Sequence, residues 1–151
     1  MEIISHSVKE TLNIGRKIAG RIKKGDIICL FGQLGSGKTV LAKGIATGLG
    51  LNGKKVISPS FVLIRQYTKG GLHLYHLDLY RLKSGSEIFS LGCEEYFYDG
   101  QVTVVEWAER LGVFLPKEYL RVELKIKKNK HRLLKLTGIG RRYKELIERL
   151  K

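Results

Sequence analysis

Residues Gly32-Gln33-Leu34-Gly35-Ser36-Gly37-Lys38-Thr39 fit the pattern G-x-x-x-x-G-K-[ST] at every fixed position. Such a set answers concentrated negative charge. Glycines allow successive backbone N–H groups to point inward around phosphate oxygens, and the N-terminus of a following helix adds its partial positive charge. Lys38 is expected to reach the β and γ phosphates as a compact cation, and the Thr39 hydroxyl to bind Mg²⁺, which prefers oxygen donors. The nucleotide-binding residues assigned on this basis are Gln33, Leu34, Gly35, Ser36, Gly37, Lys38, Thr39 and Val40, with ATP and Mg²⁺ as the cofactors.

Holding a triphosphate is not yet chemistry. Hydrolysis also needs an acid that orients magnesium or the attacking water. Glu106 closes the apolar run Val102-Thr103-Val104-Val105, so its carboxylate should emerge at the carboxyl end of a strand, the edge where open α/β sheets place their ligands. Asp78, in His76-Leu77-Asp78-Leu79-Tyr80-Arg81, is the second candidate. A solvated or ion-paired surface acid is the alternative at each position. Trp107 could flank the nucleotide or simply fill the core. A zinc site at His73 and His76 is rejected, because residues three apart on a strand face opposite ways and no Cys or third His accompanies them.

These residues need a scaffold, and hydrophobic periodicity supplies one. Ser7-Val8-Lys9-Glu10 has the form of a helix capping box, and Leu12, Ile18, Ala19 and Ile22 extend a helix from Val8 to Ile22. Ile27 to Phe31 is a continuous apolar run, the mark of a strand covered on both faces. Leu41, Ala42, Ile45, Ala46 and Leu49 then form a helix face ending at Gly50. The glycine loop is thus placed between a buried strand and a helix, the context its chemistry requires. Residues 61 to 82 read as a hairpin turning at Lys69-Gly70-Gly71, Glu87 to Phe97 as one short helix, and Val102 to Val105 as a strand beside the first. Arg121 to Lys127 and Arg132 to Leu136 pair across Lys128-Asn129-Lys130, and Tyr143, Leu146, Ile147 and Leu150 give a closing helix. The expected fold is α/β: a single P-loop NTPase-like domain over residues 1–151, with a largely parallel central sheet flanked by helices and antiparallel hairpin portions.

Composition narrows the function classes. With 151 residues and 43% hydrophobic content, the chain can build a core, so general disorder is excluded. Cys29 and Cys93 are too few for a disulfide scaffold, no run reaches the length of a membrane span, and the N-terminus lacks a secretory pattern. A reduced, cytoplasmic protein is the expectation. The net charge of +14 points to polyanionic partners, and residues 121–151 carry 12 basic against 3 acidic side chains. A lysine-rich surface that only confers solubility fits the same numbers. If the basic end does bind RNA phosphates, Lys125, Lys127, Lys128, Lys130, Arg141 and Arg142 are the residues to do so.

Four segments together resemble the TsaE family of bacterial ATPases in tRNA threonylcarbamoyladenosine formation. They are the loop Gly32 to Thr39, Ser58-Pro59-Ser60-Phe61, Tyr75 to Leu82, and Val105-Glu106-Trp107-Ala108-Glu109-Arg110-Leu111. The resemblance implies that Ser58, Pro59, Ser60 and Phe61 form a first switch, that His76, Asp78, Tyr80 and Arg81 belong to a second, and that Glu106 is the magnesium-site acid. It implies that Thr11 and Arg132 approach the base and sugar end of the nucleotide. Lys38, Glu106 and Asp78 become the catalytic set, with Thr39 and Glu106 at the metal. It further implies partners TsaB and TsaD, with tRNA reached through their complex, and ATP hydrolysis that resets it during modification of adenosine 37. Ser60, Gln33 and Ser36 depart from residues common in the family, but none of these changes removes a phosphate or magnesium ligand. Two rival readings remain at this point. One is a small-molecule or nucleoside kinase; the other is a non-catalytic, nucleotide-switched nucleic-acid-binding module.

Overall fold

The computed structural model describes residues 1–59 and 62–151. Its strands are β1 (Glu2–Ser5), β2 (Ile27–Phe31), β3 (Ile64–Lys69), β4 (Leu72–Asp78), β5 (Val102–Glu106), β6 (Tyr119–Ile126) and β7 (Arg132–Ile139). The α-helices are α1 (Val8–Ala19), α2 (Lys38–Gly48), α3 (Gly85–Leu91), α4 (Cys93–Tyr98) and α5 (Arg141–Glu148), and a 3-10 segment runs from Ala108 to Phe114. One sheet contains all the strands in the order β1-β7-β6-β2-β5-β4-β3. Its four central strands, β6, β2, β5 and β4, are parallel, and β7, β1 and β3 add antiparallel margins.

The fully buried strand β2 explains the layering. Ile28 and Leu30 pack with α1, α2 and α5 on one face, while Ile27, Cys29 and Phe31 pack with α3, α4 and the 3-10 segment on the other. Alternation along a strand buried on both faces splits a continuous apolar run between two cores. Helices α1 and α2 approach so closely that a Cβ on Gly44 would lie 2.3 Å from the Leu12 carbonyl oxygen. Glycine is the residue that permits this backbone contact. It fixes α2, and with it Lys38 and Thr39, against the rest of the domain.

Several boundaries differ from the sequence reading. Helix α1 stops at Ala19 rather than Ile22, because Gly20 begins a tight turn in which Arg21 and Ile22 bond to Ile18 and Ala19. Its cap is also one-sided: Ser7 Oγ accepts from Glu10 N, but the Glu10 carboxylate accepts from His6 N. The single helix expected over Glu87 to Phe97 is two, divided at Gly92 with φ of 67°. Strand β4 ends at Asp78 and does not continue to Leu82, since Tyr80 N turns back to Asp78 Oδ1 and Leu82 N to the Leu79 carbonyl. Among the described residues, no helix is long and apolar enough to cross a membrane.

Both cysteines are free and buried, and burial pushes the Cys93 thiol up to about 11 and that of Cys29 higher still. The C-terminal helix is fastened by a different device. Arg142 donates to both carboxylate oxygens of buried Asp26, at 2.6 and 3.2 Å, and to the Arg21 carbonyl at 2.8 Å. Arg142 thus ties α5 to the turn before β2, and Arg141 pairs with Glu145. Replacing Arg142 with Ala should lower unfolding free energy by about 1–3 kcal/mol, because Asp26 would keep its buried charge without its cation. Urea denaturation measures this; a midpoint equal to that of the unmodified protein would contradict it.

Candidate functional site

The loop between β2 and α2 is shaped by close backbone approach. Gly32 has φ of 143°, and a Cβ there would come 2.4 Å from the Leu124 carbonyl oxygen of β6. Gly37, at φ of 103°, opens α2 with no side chain capping its first amides. Buried within the loop, the Ser36 hydroxyl has no partner among the described residues. Unpaired amides at a helix start and an unpaired buried hydroxyl are groups that an anion and its counter-ion can satisfy.

Lys38 is buried, and its ammonium donates to the Gly32 and Gln33 carbonyls at 2.5 and 3.0 Å while lying 3.9 Å from the Trp107 ring centroid. Burial pulls its pKa below the ordinary lysine value, against the opposing pull of Glu106, Glu109 and Asp78. Glu106 and Asp78 close neighbouring strands, and Glu109 lies in the 3-10 segment that follows β5. Asp78 and Glu106 are register partners across β4 and β5, and both are almost inaccessible to solvent. Their carboxylates are hydrogen-bonded: Ser58 Oγ donates to Asp78 Oδ2 at 2.6 Å, Thr39 Oγ1 to Glu106 Oε2 at 2.9 Å, and His76 Nε2 lies 2.7 Å from Glu106 Oε1.

The alternative of solvated surface acids fails at both positions. Burial of two neighbouring carboxylates is costly unless a cation or strong donors face them, and here Lys38 does so together with the Ser58 and Thr39 hydroxyls, the Tyr80 amide and His76. The donor set also fits magnesium. Adjacent oxygen ligands of an octahedral Mg²⁺ lie about 2.9 Å apart when each is 2.0–2.1 Å from the ion. Thr39 Oγ1 and Glu106 Oε2 already stand at that separation.

A cavity of about 720 Å³ opens over the loop, a size suited to a nucleotide-scale ligand. It gathers Leu34, Gly35, Gly37, Lys38, Thr39 and Val40 with Ser58, Asp78, Tyr80, Arg81, Glu106 and Trp107. Gln33 contributes its carbonyl to Lys38, while its side chain is exposed outside the cavity lining. Pro59 is buried next to Ser58; Ser60 and Phe61, the rest of the expected first switch, lie outside the described residues. Thr11 is buried, bonded to Ser5 Oγ, and its methyl lies 3.9 Å from where a Cβ on Gly37 would stand. Arg132 Nη2 donates to the Gly35 carbonyl at 3.1 Å. Both residues therefore meet the glycine loop.

Sequence reasoning missed two features. Trp107 occupies the left-handed region at φ of 57°, lies with its ring 4.9 Å from that of Tyr80 at a tilt of 43°, and underlies Lys38, an arrangement that composition alone could not reveal. The direct pairing of His76 with Glu106 was also unforeseen, although the i, i+2 spacing of His76 and Asp78 places them on one strand face. His73, on the opposite face, bonds instead to Gln66 and Thr68.

Residues 5–134 match the family model described as threonylcarbamoyl adenosine biosynthesis protein TsaE. The tRNA threonylcarbamoyladenosine biosynthesis protein TsaE of Bacillus subtilis is 42% identical over 142 residues, covering 94% of this chain and 88% of that one. Its Treponema pallidum counterpart is 36% identical over 126 residues, covering 83% and 92% respectively. The crystal structure of Bacillus subtilis YdiB superposes with a TM-score of 0.83 at 35% identity, over 99% of this chain and 93% of that chain. Matches of this extent take in the loop, both strand-end acids and the residues around them, and the chain belongs to the TsaE family of threonylcarbamoyl adenosine biosynthesis proteins.

Proposed function

We propose that the protein is a magnesium-dependent ATPase of tRNA threonylcarbamoyladenosine formation, acting in the cytoplasm with TsaB and TsaD. The observation that carries this reading is the convergence of Lys38, Thr39, Asp78 and Glu106 on one cavity above the glycine loop. Family membership favours a tRNA-modification role over a small-molecule kinase or a nucleic-acid module without catalysis.

In this reading the loop amides and Lys38 bind the β and γ phosphates, while Thr39 and Glu106 hold magnesium, which when bound neutralises phosphate oxygens as charge develops on them. Asp78, fixed by Ser58 and by the Tyr80 amide, orients water near the γ phosphate. Preorganisation is what these hydrogen bonds supply, since the carboxylates need no rearrangement as charge moves. Thr11 and Arg132 flank the loop and are suited to the sugar and base end. The exposed lysines Lys125, Lys127, Lys128 and Lys130 crown the β6–β7 turn, next to Arg132, where tRNA held by the complex could reach them.

An isolated phosphate loop without an added arginine finger should hydrolyse slowly; such a residue contributes about 10³–10⁵ in rate elsewhere. Phosphate release should therefore be low for the chain alone, require magnesium, and rise when TsaB and TsaD are added together. Equal rates with and without the two proteins would remove the partner-dependent part of this function. Release in none of the combinations would remove the ATPase itself.

A further inference from the structure

We infer that His76 is a positioning residue for Glu106: its Nε2–H holds carboxylate oxygen Oε1 so that Oε2 stays directed at Thr39 and the metal it shares. The inference rests on the reading that Thr39 and Glu106 bind magnesium.

A glutamate side chain at a strand end can turn about its terminal torsion, which is broad and roughly two-fold. Glu106 is not left to do so. One oxygen meets His76 at 2.7 Å and the other meets Thr39 at 2.9 Å, so the carboxylate plane is set from both sides. The histidine is itself immobilised: 1% exposed, it lies on β4 opposite Val104, two residues before Asp78 and on the same face. An ionised carboxylate only accepts, so the proton of this hydrogen bond belongs to Nε2. The other ring nitrogen, Nδ1, is buried with no hydrogen-bond partner among the described residues. An unpaired buried nitrogen is a cost that packing alone would have avoided with an apolar side chain. The geometry accounts for it: the ring is retained for what Nε2 does. The same logic operates where a second residue orients a metal ligand, and loss of such a partner typically weakens metal affinity about 10- to 100-fold.

The test compares His76→Gln, which can return an amide donor to the position of Nε2, with His76→Asn, whose donor falls short, and His76→Leu, which has none. ADP binding is measured by calorimetry with magnesium and with EDTA, alongside kcat and KM for ATP. The unmodified protein should bind more tightly with magnesium. In His76→Leu and His76→Asn that magnesium-dependent gain should shrink about 10- to 100-fold, with EDTA affinity unchanged and kcat reduced more than KM is altered. His76→Gln should recover most of the gain. Equal behaviour of the Gln and Asn variants, or loss of affinity to the same extent with and without metal, would overturn the positioning role. If the unmodified protein gains nothing from magnesium, it is the metal assignment to Thr39 and Glu106 that fails, and this inference with it.

Discussion

Lys38→Ala should weaken ATP binding about 10- to 100-fold, the worth of a charge-assisted hydrogen bond to phosphate, and cut phosphate release about 10²- to 10³-fold. Two features make this effect large. The ammonium is buried, so its attraction to phosphate is poorly screened, and its neighbours Glu106 and Asp78 would face a bound triphosphate with no cation between them. Alanine also withdraws the donor from the Gly32 and Gln33 carbonyls, so the loop loses an internal tie. Lys38→Arg should not restore turnover, because a planar guanidinium cannot replace a compact ammonium over Trp107 in the same space. Calorimetry for binding and a phosphate assay for turnover check these outcomes. Turnover within threefold of the unmodified protein would exclude Lys38 from the chemistry.

Glu106→Gln separates binding from hydrolysis. Glutamine keeps the size of glutamate, still accepts from Thr39, and can exchange a hydrogen bond with His76, so the strand end should stay folded. What disappears is a buried negative charge beside the proposed metal. ATP should remain bound while phosphate release falls about 10²- to 10³-fold, the range seen when one preorganised electrostatic group is removed. Removal of the charge should also let burial pull the Lys38 pKa further below its ordinary lysine value, since Glu106 is the largest influence holding it up. Undiminished release with ATP bound would deny Glu106 a catalytic part and leave Asp78 as the acid to examine.

Much of this site could be read from the residue order, for physical reasons that differ between its parts. The glycine loop between β2 and α2 was legible because glycine conformation, a buried strand and an amphipathic helix constrain one another from Ile27 to Gly48. Glu106 was legible because a charged residue that closes an apolar run must sit at a strand end. Other features depend on tertiary partners. Strand β1 is only four residues long, and its pairing with β7 spans almost the entire chain. Arg142 looks like any other surface arginine until α5 brings it to Asp26. The break at Gly92 was visible as a glycine but not as a helix end, because an isolated glycine is tolerated inside many helices. Thr11 shows nothing in its own sequence context of its burial, which comes from the hydroxyl of Ser5 at the end of β1 and from the glycine loop beside it.

The stacking of Lys38 on Trp107 has a practical side. Trp107 is the only tryptophan in the chain, so all indole fluorescence originates 3.9 Å from the ammonium expected to meet phosphate. Emission from that ring is sensitive to a nearby charge, and the protein thus carries its own label-free dye beside the glycine loop. Stopped-flow mixing can use it to time the arrival and departure of the proposed nucleotide.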